Sequence, residues 1–262
     1  MEYVLVFGAS GGIGKEFCRK LACRGENLVI SGRCKNKLEL LKNELLSINE
    51  KISIITLPLD LSISEERVKS YKKLEELGVL VKGLYYVSGI DTRKSFLKYS
   101  EDKIIKQARV NFEGALSTTE FALKNRAERL DILVVSSACG LTPMPYFSEY
   151  SATKAGLIYF YKGLKRELKG QNVKITVLCP GSVPTRKDIV DDIKSQGLTG
   201  KLSKKSPEYI VNASLKALNK NKTICIPGFY NKVVAFLSKI TPYAIQSKIV
   251  AKKFKDKEKD AF

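Results

Sequence analysis

Tyr3-Val4-Leu5-Val6-Phe7-Gly8-Ala9-Ser10-Gly11-Gly12-Ile13-Gly14 is the stretch that decides the fold. Its first five residues are apolar and partly β-branched, the composition of a strand buried on both faces. Gly8, Gly11, Gly12 and Gly14 then allow a tight turn and a close approach of backbone to a phosphate. From Ile13 the spacing turns helical, with Ile13, Phe17 and Leu21 on one stripe. A helix starting there presents free N–H groups and a partial positive charge to an anion. Glycines alone would also suit a plain strand-to-helix turn. Their place after the first strand of an alternating chain favours the phosphate.

Outward from this unit, strand-length apolar runs at residues 27–31, 53–57, 83–87, 132–136 and 174–178 alternate with segments of helical period. Those segments include one through Leu38, Leu41 and Leu45, one at 64–77 and one at 148–169. Such alternation implies an α/β, doubly wound parallel sheet with right-handed crossovers and helices on both faces. The 262 residues suit one substantial core. Residues 1–228 read as one domain and 229–262 as a basic amphipathic tail.

Composition narrows the chemistry. An apolar share of 44% fits a soluble globular protein. The opening residues lack a secretory pattern, and no stretch reaches the roughly 18 apolar residues of a membrane span, so a cytoplasmic location is expected. Six scattered cysteines without a CxxC pair read as reduced, small core residues rather than as disulfides or a zinc site. Histidine is absent. That removes the Ser-His-Asp triad and most catalytic zinc sites, and no metal is expected. The net charge of +19 is spread as lysine over most helices, with no base-reading motif, so no nucleic-acid partner is expected.

The end of the second strand chooses between the nicotinamide cofactors. An acidic residue there would bind the ribose 2′-OH and repel a 2′-phosphate. This chain has Ser31-Gly32-Arg33, with Lys35 and Lys37 behind. The planar fork of Arg33 suits a phosphate and points to NADP(H). Asp60-Leu61, after the third strand, suits an adenine contact or a helix start.

Tyr150-Ser151-Ala152-Thr153-Lys154 puts a tyrosine and a lysine four apart on a helix, hence on one face. An ammonium beside a phenol favours phenolate and brings its pKa toward working pH. Ser136-Ser137 ends the fifth strand at the carboxyl edge of the sheet, where open α/β sheets hold ligands. Each residue alone has an ordinary structural reading. Their joint occurrence after a phosphate loop does not.

With these residues assembled, the chain resembles a short-chain dehydrogenase/reductase from about residue 3 to 228. The resemblance implies a Rossmann-type sheet of about seven strands and an enzyme that interconverts a carbonyl and an alcohol. It implies that Tyr150 exchanges the proton and that Lys154 lowers the tyrosine pKa and bonds the nicotinamide ribose. Ser137 would hold the substrate oxygen, and Asn111 a water linking Lys154 to solvent. Gly89 would line the cofactor floor. Pro180-Gly181-Ser182-Val183-Pro184-Thr185 resembles the segment that holds the nicotinamide amide, through Val183 and Thr185. Two departures stand out: Phe7 replaces a threonine, and Tyr86-Val87-Ser88-Gly89 replaces Asn-Asn-Ala-Gly. The second puts cofactor affinity in doubt and motivates the alternative of a non-catalytic NADP(H)-binding scaffold. A homodimer or homotetramer is also implied.

Residues 186–205 would form a lid, with Ile189, Val190, Ile193 and Leu198 available to an apolar, acyl-chain-like substrate. Ser206-Pro207-Glu208 opens the next helix as cap and first turn. In the tail, residues 229–240 and 243–254 form two basic amphipathic helices around Thr241-Pro242. They suit an anionic membrane surface, a dimer partner or the core equally. Residues 255–262 alternate in charge and read as disordered.

Overall fold

The computed structural model describes residues 1–255 and 258–260. The strands are β1 (Glu2–Phe7), β2 (Leu28–Gly32), β3 (Ile54–Pro58), β4 (Leu80–Tyr86), the short β5 (Thr92–Arg93), β6 (Arg126–Val135), β7 (Val173–Leu178), β8 (Ile224–Cys225) and β9 (Lys259–Asp260). Seven of them form one parallel sheet in the order β3-β2-β1-β4-β6-β7-β8. The chain winds outward from β1 to β3, returns to β4 on the other side of β1, and continues to β8. The gap between the carboxyl ends of β1 and β4 is therefore the switch point where such sheets bind ligands.

Helices α1 (Gly12–Ala22), α2 (Lys35–Ile48) and α9 (Pro207–Asn219) cover one face. On the other lie α3 (Ser64–Glu76), α5 (Gly114–Lys124) and α6 (Ser148–Glu167), with α4 (Glu101–Ala108) leading into α5. Each face closes its own apolar layer. Phe17, Leu38 and Leu45 meet Val4, Val6 and Ile30 on one side; Leu74, Phe121 and Tyr161 meet Leu5, Leu84 and Ile132 on the other. Every such side chain contributes about 1.5–3 kcal/mol by leaving water. The alternation of β1 shows why both layers exist: Val4 and Val6 enter one, Leu5 and Phe7 the other.

The elements past β7 shape the cleft. Residues 186–205 contain α7 (Lys187–Ser195) and α8 (Gly197–Ser203). Ser206 caps α9 by accepting from the Tyr209 N–H at 3.2 Å, and Pro207 stands in its first turn. The tail forms α10 (Phe229–Ile240) and α11 (Tyr243–Phe254). The expectation of disorder over 255–262 is corrected at β9, which pairs antiparallel with β5; Asp256, Lys257, Ala261 and Phe262 lie outside the described residues. The cysteines carry no disulfide; Cys18, Cys179 and Cys225 are buried, but Cys23 and Cys34 are exposed, against the expectation of core packing.

Candidate active site

The glycine loop is built so that side chains would not fit. Gly8 turns at φ +84°, and a Cβ there would meet the Ser88 backbone at 2.8 Å. A Cβ on Gly14 would strike the Gly8 carbonyl at 2.1 Å, and one on Gly12 the Thr185 methyl at 2.6 Å. Helix α1 starts at Gly12 with Gly11 as its cap, no side-chain cap bond and no acidic residue in the first turn. Its leading N–H groups are therefore suited to an anion. The loop leads along a groove past exposed Arg33, then Asp60 and Leu61 after β3, and Gly89 after β4. Asp60 is largely committed to its own turn: its Oδ1 accepts from the Ser62 N–H at 2.9 Å and hydroxyl at 2.7 Å. Partial burial pushes its carboxyl up, yet the Ser62 bonds bring it below the usual range. These residues fit a dinucleotide: a cradle that a Cβ would fill, open amides, and a cation where a 2′-phosphate would lie.

The groove opens into a cavity of about 660 Å³ bordered by Ser137, Tyr150 and Lys154, with Pro180, Gly181 and Val183 on its floor. Tyr150 stacks on Phe147, with centroids 4.4 Å apart. Burial pushes its phenol above the ordinary range, and hydrogen bonding to Ser137 offsets this only partly. Lys154, 3% exposed, lies 5.7 Å from the Tyr150 ring centroid and gives a hydrogen bond to the Val135 carbonyl at 2.9 Å. Burial pulls its own ammonium down to about 8, with Asp91 opposing. Ser137 Oγ accepts from the Cys139 N–H at 3.1 Å, which leaves the hydroxyl hydrogen to donate. Ser136, also on the cavity wall, instead donates its hydroxyl to the Lys154 carbonyl at 2.7 Å. Asn111 does not border the cleft. Fully buried, its Oδ1 accepts from the Ile90 N–H at 2.8 Å, and its Nδ2 donates to the Ile90 carbonyl at 2.9 Å and to Thr153 at 3.2 Å.

The far walls are the lid and the tail. Ile189 and Ile193 line the cavity, whereas Leu198 is 72% exposed and corrects that part of the lid reading. The tail helices face it with Val234, Ala235, Val250 and Phe254. Most of the tail's apolar stripe faces out, with Phe229 83% and Ile240 64% exposed. Asn231 ties α10 down: its Nδ2 donates to the Ser203 and Pro227 carbonyls at 3.1 and 2.8 Å, and its side chain fills the space over Gly181. Sequence reasoning missed Asp91, Arg93 and Arg186. Arg186 reaches Asp91 at 3.2 Å, and both line the same cavity as Tyr150 and Lys154. Buried Arg93 pairs with Asp192 of α7 at 2.8 Å and lies 4.8 Å over the Phe254 ring. Asp91 was nearest to legible, following directly on Gly89-Ile90.

A glycine-cradled groove at the switch point, leading to a tyrosine, a serine and a lysine, defines a Rossmann-type oxidoreductase. A family model described as short chain dehydrogenase matches residues 2–194, and the chain belongs to that family. It is an oxidoreductase interconverting a carbonyl and an alcohol with a nicotinamide cofactor. The very-long-chain 3-oxoacyl-CoA reductase of Neurospora crassa is 29% identical over 236 residues, 87% of this chain and 68% of that protein. A structure from a study of 7beta-hydroxysteroid dehydrogenase stereoselectivity superposes with TM-score 0.84 at 23% identity, covering 95% of this chain and 96% of that one. A short-chain dehydrogenase from Sphingobium yanoikuyae in complex with NADPH gives TM-score 0.74 at 21% identity, covering 93% and 98%.

Proposed function

We propose that the protein is an NADP(H)-dependent reductase of apolar, acyl-chain-like ketones, with Tyr150, Ser137, Lys154 and Asn111 as its working residues. The observation that carries this is the meeting of Tyr150, Ser137 and Lys154 at the junction of a glycine-cradled groove and an apolar cavity. Arg33 supports the phosphorylated cofactor. Ile189, Ile193, Val234 and Phe254 support an apolar substrate, in keeping with the 3-oxoacyl thioesters named for the Neurospora relative.

When bound, the cofactor supplies the hydride. The Ser137 hydroxyl donates to the substrate carbonyl and polarises it. Tyr150, held protonated by burial, gives its proton to the same oxygen as the alcohol forms. Lys154 would anchor the cofactor ribose, and its ammonium would steady the charge left on the phenol. Asn111 holds Ile90 and so the floor beside Lys154. Replacing Tyr150 with Phe is expected to lower turnover of a 3-oxoacyl thioester by about a thousandfold while leaving NADPH affinity within about twofold. Retained turnover would falsify the mechanism.

The same reading includes a homodimer or homotetramer, and docking of the tail on an anionic membrane surface at its cytoplasmic face. Residues 229–254 contain Lys232, Lys239, Lys248, Lys252 and Lys253 and no acidic residue. Phe229, Phe236, Ile240 and Ile249 stand exposed among them. No helix among the described residues is long and apolar enough to cross a membrane, so docking would be peripheral.

A further inference from the structure

We propose that Tyr86 is a positioning residue for Asn111, acting through the helical irregularity that carries it; the proposal rests on the carbonyl–alcohol reading of the site. Tyr86 ends β4 and is fully buried, so its hydroxyl needs a partner. That partner is the carbonyl of Val110, the residue before Asn111.

Residues Arg109–Glu113 form a single π turn between α4 and α5. The Gly114 N–H, which an unbroken α-helix would send to Val110, donates to the Arg109 carbonyl instead. The Tyr86 hydroxyl arrives at the carbonyl this register shift displaces. Gly114 makes room for it, since a Cβ there would lie 2.8 Å from the tyrosine oxygen. The far end of the turn is held as well: buried Arg67 pairs with Glu113 and also donates to the Leu61 carbonyl at 2.5 Å.

The turn sets where the Asn111 amide points. That amide grips both backbone groups of Ile90 and meets Thr153 on α6. Gly89, one residue earlier, packs so close to Lys154 that a Cβ would sit 3.1 Å from Nζ. Tyr86 therefore reaches the catalytic lysine through three links: the π turn, the Asn111 amide and the Ile90 backbone.

Tyr86→Phe removes the hydroxyl and keeps the ring beside Phe7. The expected result is a kcat about tenfold lower, with KM and NADPH affinity within about twofold, and faster amide exchange over residues 110–114. Gly114→Ala attacks the same contact from the other side and covers the case in which Tyr86→Phe does not fold. The double variant should lose no more than the worse single one, because one contact is broken in all three. A folded Tyr86→Phe with wild-type kcat and unchanged exchange overturns the inference, as do additive losses. Wild-type protein without any reductase activity instead defeats the reading of the site, which keeps the two failures distinct.

Discussion

Lys154 and Tyr150 are moved in opposite directions by the same burial: the ammonium down to about 8, the phenol up beyond its ordinary range. Below pH 8 the lysine is a cation and the tyrosine a proton donor. Above it the lysine loses its charge while the phenol stays protonated. Reductase kcat/KM is therefore expected to be flat toward neutral pH and to fall above about pH 8, with that limb absent in Lys154→Arg; a pH–rate profile checks both. Arg33 makes a separate prediction. If it holds the 2′-phosphate, Arg33→Ala raises the NADPH Kd by roughly ten- to a hundredfold, the worth of a charge-assisted hydrogen bond, and leaves NADH binding unchanged. Fluorescence titration with each cofactor decides it.

Elements differ in how readily they could be read. Strand β1 and its glycine loop were legible because strand burial and tight turning each demand particular residues. So was the start of α9, where Ser206 and Pro207 are cap chemistry in sequence order. The π turn was not, since nothing in Arg109-Val110-Asn111-Phe112-Glu113 breaks helical spacing; Tyr86, more than twenty residues away, meets its carbonyl. The clamp on the lid was illegible for the same reason. Arg93 and Asp192 lie 99 positions apart, and Gln196 adds a third partner by donating to Asp192 at 3.0 Å. Asp192→Ala leaves the buried Arg93 guanidinium without this partner and loosens α7 from β5. The expected effect is a rise in substrate KM of about tenfold with a smaller change in kcat, measured by steady-state kinetics.

At the scale of the molecule, the tail presents two faces. One side of α10 and α11 lines the cavity beside Tyr150, and the other exposes apolar residues among lysines. Each lysine near an anionic surface contributes about 1 kcal/mol, an attraction that salt screens. The chain is expected to co-sediment with vesicles containing phosphatidylserine, to release at high salt and to ignore purely neutral vesicles. Replacing Phe236 and Ile240 with Glu should lower vesicle binding by more than about tenfold while leaving turnover of a small soluble ketone within about twofold. Equal binding by that variant would reject the outer face as the docking surface.

Local chemistry was enough for the sheet, the tight glycine turn after β1 and the placing of Tyr150 and Lys154 on one helix. Each depends on period, turn geometry or spacing along a single element, and those are properties of neighbouring residues. Only the tertiary structure decided that Asn111 grips Ile90 behind the cleft, that burial raises Tyr150, and that the tail turns Val234 and Phe254 inward while Phe229 and Ile240 face out. Those outcomes are set by desolvation and by contacts between residues far apart in the chain, which exist only once the elements have packed.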